Sequence, residues 1–128
     1  MSPTRYPLEG ATYSDAVSVG GAGRWVYVAG QVALGEDGAL IEGDVREQAA
    51  RTFDHVERAL GRAGATLADV VKITVYLTNL AEYADFAAVR GERFGDEPPA
   101  SAAVAVSELL FGAVVEIDAV AFVPGGST

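Results

Sequence analysis

The chain has 128 residues, half of them apolar, and a formal net charge of −9. This length and composition fit one compact domain with its own core and exclude a disordered chain. The nine basic residues are scattered and outnumbered by eighteen acidic ones, which argues against nucleic acid or an anionic membrane as partner. No cysteine is present, so disulfides and thiolate chemistry are excluded.

A lone histidine, His55, cannot form a zinc centre alone, and we expect neither a metal nor another cofactor. The first residues lack the basic and apolar pattern of a signal peptide. No stretch approaches the length of a membrane span. We therefore expect a cytoplasmic protein.

The first predicted elements are two strands, 16–19 and 24–29, the second alternating around Trp25 and Tyr27. A glycine-rich segment, 20–23, separates them, so we expect a β-hairpin. We do not expect this segment to bind phosphate, because no helix begins after it. A second turn follows, with Asp37 and Gly38 at its corner.

After Gly43 the spacing of the apolar residues changes to that of a helix, which predicts the first helix. Asp44 is a good N-cap, Glu47 stands at the position that completes a capping box, and Gly64 ends the helix. His55 lies off the apolar stripe, and we expect it on the solvated surface. The stripe itself consists of Val45, Ala49, Phe53, Val56 and Leu60.

The remaining elements are a strand at 69–77, an amphipathic helix at 79–95, and strands at 100–106 and 113–123. Alternation in the strand 69–77 predicts that Val71 and Ile73 share one face while Val70 and Lys72 share the other. The predicted order is β-β-α-β-α-β-β. It indicates one α+β domain over residues 1–128, with two helices on one face of a mixed sheet.

The last strand carries two acids, Glu116 and Asp118, within a nearly unbroken apolar run. Alternation places both on the face opposite the one expected to lie under the helices. That face is too apolar for open water and too acidic for a closed core, so we expect a subunit interface with small polar clefts. The alternative for Glu116 is a structural ion pair, either with Lys72 or with an arginine of another chain.

Six segments together resemble, in order, the RidA/YjgF family, also called the Rid family. They read YSDAVSVGG, WVYVAGQVAL, IEGDVREQAARTFDHVERAL, LADVVKITVYLTNL, PPAS and VVEIDAVAFV, and extend from about 13 to 123. The resemblance implies a chorismate-mutase-like fold and a homotrimer with a central β-barrel and small-molecule clefts between subunits. It also implies hydrolysis of reactive enamines and imines to a ketone and ammonia.

The same resemblance implies roles for individual residues. Glu116 matches the glutamate that holds the attacking water, whereas Asp118 falls where a second, less involved acid usually stands. The implied substrate-binding positions are Tyr13, Gly30, Ala87, Ser101 and Ala103.

Ser101 is the main departure from the family pattern, because an arginine that clamps the substrate carboxylate usually stands there. Ala103 likewise replaces a cysteine. A guanidinium can bind a carboxylate through two parallel hydrogen bonds, whereas serine offers one neutral hydroxyl. We therefore expect 2-iminopropionate-type activity to be weak or absent. Three other arginines are candidate replacements, Arg24, Arg90 and Arg93, and the favoured interpretation of the last two is a solvated surface position.

Three functions remain open at this point. The first is a hydrolase or deaminase of enamines or imines with altered specificity. The second is a non-catalytic protein of the same fold whose cleft binds a metabolite, and the third is a structural or holdase-like role. Ser101 is not expected to act as a nucleophile, since no histidine or lysine is placed to activate it.

Overall fold

The computed structural model describes residues 3–125, which form a six-stranded mixed sheet with two helices packed on it. Residues 1, 2 and 126–128 of the predicted domain lie outside the described residues. The helices are α1 (Val45–Arg62) and α2 (Tyr83–Phe94). The strands are β1 (Thr4–Pro7), β2 (Ser14–Ser18), β3 (Gly23–Gln31), β4 (Val70–Leu77), β5 (Ala100–Ala105) and β6 (Val115–Pro124).

The strand order in the sheet is β1-β2-β5-β4-β6-β3. Strand β5 runs parallel to both β2 and β4, and the other neighbouring strands are antiparallel. The predicted α+β class, with two helices on a mixed sheet, is confirmed. Neither α1 nor α2 is long and apolar enough to cross a membrane.

Helix α1 begins and ends where its sequence predicts. The Asp44 carboxylate accepts a hydrogen bond from the Glu47 amide at 3.0 Å, and Glu47 accepts one from the Asp44 amide at 2.9 Å. This reciprocal capping box satisfies amides that the first turn leaves without partners. At the other end Gly64 takes a φ of +75°, a conformation that favours glycine.

The core lies between the two helices and the sheet. Phe53 of α1 stands at its centre, with ring centroids 6.0 Å from Phe86 and 5.6 Å from Phe94 of α2. Strand β6 contributes its alternate residues as predicted. In β4 the pairing register shifts between Val70 and Lys72, so Val70 enters the core. The prediction of strict alternation is therefore wrong at Val70.

The predicted hairpin of β2 and β3 is also wrong. Strand β2 pairs with β1 and meets β5 at Ser14, whereas β3 pairs with β6 along most of its length. Ser14 fixes β2 beside β5, because its amide donates to the Pro99 carbonyl at 2.8 Å and its hydroxyl to the Pro98 carbonyl at 2.6 Å. Val28 of β3 is buried in the core, which favours pairing with the apolar strand β6.

Strand β1 is not among the predicted strands, since it is short and ends at a proline. It is held by Arg5, whose guanidinium donates to the carbonyls of Ala68, Val70 and Pro98. Burial lowers the pKa of Arg5, although the nearby charges of Glu97 and Asp69 act in the opposite direction. These partners are distant in sequence, so the local pattern of residues 4–7 does not reveal them.

Candidate functional site

Glu116 lies on the face of the sheet that the helices leave open, because the residues on either side of it point into the core. Gly30 of β3 stands directly against it, and a Cβ built on Gly30 would collide with the Glu116 carboxylate. The β3–β6 register shifts between Val28 and Gln31, so this contact lies at a bulge. Glycine at position 30 is therefore what allows the carboxylate to lie against the β3 backbone.

A pocket of about 380 Å³ opens beside Glu116. Its lining includes His55 and the exposed side chains of Leu110 and Phe111. Nε2 of His55 lies 2.7 Å from the Leu34 carbonyl oxygen, so this nitrogen carries a hydrogen and donates it. His55 is thus partly buried in the pocket that Glu116 lines, and the expectation of a solvated surface position is wrong. The loop that follows β3 covers this side of α1. Within residues 3–125, no three His, Asp or Glu side chains cluster in a way that could hold a metal ion.

The second acid of β6, Asp118, accepts a hydrogen bond from a neighbouring strand. The Tyr76 hydroxyl donates a hydrogen bond to Asp118 Oδ2 at 2.9 Å. This bond raises the pKa of Tyr76, and burial and the negative charges of Asp118 and Glu116 act in the same direction. Lys72 is exposed, and the ion pairs found among residues 3–125 do not include Glu116. The alternative of a Glu116–Lys72 pair is therefore wrong for the single chain.

Ser101 contacts a buried arginine of α2. Arg90 is 1% exposed, and its Nη1 donates to Ser101 Oγ at 3.0 Å. Its Nε donates to the Thr12 hydroxyl at 3.0 Å and its Nη2 to the Tyr83 hydroxyl at 2.8 Å. The guanidinium carbon lies 5.0 Å from the centre of the Tyr13 ring. The interpretation of Arg90 as a solvated surface residue is wrong.

The other two candidate arginines are engaged elsewhere. Arg93 donates to Asp54 at 2.7 Å, and Arg24 donates to the Ala63 carbonyl at 2.7 Å, at the end of α1. Of the three arginines, Arg90 is the one that contacts Ser101 within the described part of the chain.

The predicted alanines lie close to the Arg90 contacts. The Ala87 carbonyl accepts a hydrogen bond from the Thr12 hydroxyl at 2.9 Å, and that hydroxyl in turn accepts from Arg90. Ala103 follows Ser101 on the same face of β5 and packs against the core. Both alanine side chains are partly buried.

The sequence-predicted site residues therefore form two groups. The first, which we call the glutamate group, consists of Gly30 and Glu116. The second, which we call the arginine group, consists of Tyr13, Ala87, Ser101 and Ala103 together with Arg90. Ser101 faces α2 whereas Glu116 faces away from the helices, so the sheet separates the two groups within one chain. A second copy of the chain would be needed to bring both groups to one ligand.

The sequence names Arg90 as a candidate but favours a surface position for it, although a signal for its burial exists. Arg90 lies four residues after Phe86 and four before Phe94, both of which are buried. This spacing places Arg90 on the buried stripe of α2. A charged residue on such a stripe needs polar partners, which Thr12 and Tyr83 supply.

Comparison with known proteins gives a consistent result over nearly the whole chain. Residues 4–123 match the family model described as Endoribonuclease L-PSP. A RutC family protein of Pyrococcus abyssi is 40% identical over 111 residues, which cover 86% of this chain and 85% of that protein. A Dermatophagoides farinae protein named 2-iminobutanoate/2-iminopropanoate deaminase is 31% identical over 127 residues, which cover 94% of this chain and 97% of that protein. The crystal structure of RidA from an Antarctic Psychrobacter matches with a TM-score of 0.75 and 37% identity, covering 93% of this chain and 94% of that chain.

Proposed function

The chain belongs to the RidA/YjgF family, and from that premise we propose that it hydrolyses small enamines or imines at clefts between the subunits of a homotrimer. The observation that carries this proposal is the Glu116 carboxylate, which lies against Gly30 in an open pocket and takes part in none of the ion pairs of residues 3–125. The relative named as an imine deaminase supports the same reaction class.

In the proposed reaction Glu116 holds a water molecule and accepts its proton as the oxygen attacks the imine carbon. A C–O bond forms, and the electron pair of the C=N double bond moves onto the nitrogen. The nitrogen takes up the proton that Glu116 accepted, which gives a carbinolamine. A second proton then passes from the new hydroxyl to the nitrogen, the C–N bond breaks as the C=O bond forms, and ammonia leaves behind a ketone. Water and imine are thus consumed one for one, without any redox change. A carboxylate without a cationic partner suits the role of the base.

The pocket favours an apolar group on the substrate. Leu110 and Phe111 are 72% and 62% exposed beside Glu116, and Phe111 has a φ of +64°, which is uncommon for a residue with a side chain. A substrate side chain packed against these residues would gain binding energy from buried apolar surface. This gain would offset the lack, at position 101, of an arginine side chain that contacts the substrate directly.

The open face of the sheet supports assembly of several copies. Trp25 and Tyr27 of β3 are 49% and 75% exposed on it, next to the partly buried acids of β6. Exposed aromatic patches of this kind mark association surfaces. In the proposed trimer, the glutamate group of one copy meets the arginine group of another. The net charge of −9 argues against RNA as a substrate, despite the description that the family model carries.

The test is ammonia release from imines generated in place by an L-amino-acid oxidase. We expect slow release from 2-iminopropionate, which derives from alanine, and release faster by about tenfold or more from the imine derived from leucine. Each additional buried methylene contributes about 0.8 kcal/mol, and the leucine-derived imine has a larger apolar group to bury. The amino acids serve as matched substrates, and the spontaneous rate without protein is the control. If no imine reacts faster than that rate, the proposal fails and a metabolite-binding role is favoured.

A further inference from the structure

Arg90 is a buried cation, and no carboxylate of residues 3–125 forms an ion pair with it. Its three hydrogen-bond acceptors are the neutral hydroxyls of Thr12, Tyr83 and Ser101. The ion pairs of residues 3–125 involve Arg46 and Arg93 instead. A buried charge without an opposite charge is costly, and residues that carry one are generally paired or functional.

Aromatic rings account for part of the stabilisation of this charge. The guanidinium carbon lies 5.0 Å from the ring centre of Tyr13, 5.3 Å from that of Phe86 and 5.4 Å from that of Tyr83. Cation–π contacts of this kind stabilise a cation but leave its positive field uncancelled. An anion nearby would therefore still be attracted.

The hydroxyls that accept hydrogen bonds from Arg90 are the groups through which its charge would act on a ligand. A hydroxyl that accepts a hydrogen bond still has its own hydrogen to donate. The Thr12 hydroxyl donates to the Ala87 carbonyl, but the hydroxyls of Ser101 and Tyr83 have no acceptor among the hydrogen bonds of residues 3–125. Both residues are partly exposed, whereas Arg90 is not. Two partly exposed residues thus each keep a hydroxyl hydrogen to donate, and the Arg90 guanidinium lies within 3.0 Å of both hydroxyl oxygens.

We propose that Arg90, acting through the hydroxyls of Ser101 and Tyr83, gives this protein a subsite for the carboxylate of a small 2-oxo or 2-imino acid. The inference rests on the proposed function for the choice of ligand class. Arg90 is a positioning residue in this arrangement, because the hydroxyls and not the guanidinium touch the ligand. Indirect contact makes the subsite weaker than a bidentate arginine, which is consistent with the slow turnover of 2-iminopropionate that we expect.

Binding of pyruvate and of its neutral amide, pyruvamide, tests this subsite without any turnover. The two probes are close in size and shape and differ in charge. Dissociation constants for both are measured by NMR titration at neutral pH, and the ratio of the two is the readout. We expect the wild type to prefer pyruvate. Arg90→Met should weaken pyruvate binding by about tenfold or more and leave pyruvamide binding unchanged.

Companion variants separate recognition from structure. Arg90→Lys keeps the charge and should retain most of the preference, whereas Ser101→Ala should lose part of it. Arg93→Met removes an equal charge from the same helix, but this charge is already paired with Asp54. We expect this variant to bind pyruvate and pyruvamide as the wild type does. If Arg90→Met does not fold, as judged by circular dichroism, the test rests on the other two variants. The ratio of the pyruvate and pyruvamide dissociation constants is then compared for Arg90→Lys and Ser101→Ala.

The proposal is overturned if the wild type does not prefer pyruvate, or if Arg90→Met weakens both probes equally. It is also overturned if Ser101→Ala keeps the full preference for pyruvate over pyruvamide. The same holds if Arg93→Met loses as much of that preference as Arg90→Met. A protein that prefers pyruvate through Arg90 but hydrolyses no imine would support this subsite and contradict the proposed function.

Discussion

Replacing Glu116 by glutamine should lower the rate of imine hydrolysis by about a hundredfold or more and leave the fold intact. The amide keeps the shape of the carboxylate but cannot accept a proton from water at neutral pH. The fold should be little affected, because Glu116 is only partly buried and its charge is in none of the ion pairs of residues 3–125. The measurements are ammonia release from the leucine-derived imine and the midpoint of thermal unfolding.

Asp118→Asn is the matched control for this variant. It makes the same chemical change two residues further along the same face of β6, and the Tyr76 hydroxyl can still donate to the new amide oxygen. We expect it to keep most of the wild-type rate. Equal losses in Asp118→Asn and Glu116→Gln would show that the rate responds to the charge of this face and not to a base at Glu116.

Gly30→Ala should lower the rate of imine hydrolysis almost as much as Glu116→Gln. The added methyl group would lie where the Glu116 carboxylate now lies, and within 2.9 Å of its carboxyl carbon. The end of a flexible side chain can move aside, so we expect a displaced carboxylate and a loss of stability of about 1 kcal/mol or less. A catalytic group misplaced by about 1 Å can lower a rate about a hundredfold. The rate of hydrolysis and the free energy of unfolding are the two readouts.

Gly61→Ala makes the same substitution where space is free. Gly61 lies near the end of α1, and an added Cβ would meet nothing within 4 Å. We expect this variant to be more stable than the wild type by about 0.5–1 kcal/mol, with an unchanged rate. A Gly30→Ala protein as active as Gly61→Ala would show that the contact between Gly30 and Glu116 does not matter for the reaction.

Much of the fold follows from local rules that the sequence displays directly. The capping box of Asp44 and Glu47 joins residues three positions apart, and the turn at Gly64 depends on a single residue. The alternation of β6 likewise needs no information from the rest of the chain. Both helices and the two faces of the last strand were therefore predictable.

What the sequence did not reveal depends on partners far along the chain. Strand β2 lies beside β5 because Ser14 binds the carbonyls of Pro98 and Pro99, a choice that no pattern within 14–18 indicates. The glycine-rich link between β2 and β3 favours a hairpin locally, but burial of Val28 against β6 outweighs it. Long-range pairing thus overrode a local turn preference.

The candidate site also has a part that local sequence predicts and a part that depends on distant partners. Glu116 and Gly30 could be proposed from the resemblance of short segments, and the structure places them in contact. The role of Ser101 could not be predicted from its own segment, because its partner Arg90 belongs to another element and is bound in turn to Thr12. The missing arginine at position 101 is visible in the sequence, whereas the contact between Ser101 and a buried arginine of α2 is not.

A crystal structure of the protein with pyruvate bound would test most directly whether the site is shared between copies. We expect a trimer in which pyruvate lies between Glu116 and Gly30 of one copy and Ser101 of a neighbouring copy, with the carboxylate toward Ser101. Pyruvate bound beside Glu116 with no second copy near it, or a monomeric protein in solution at the same concentration, would contradict the shared cleft.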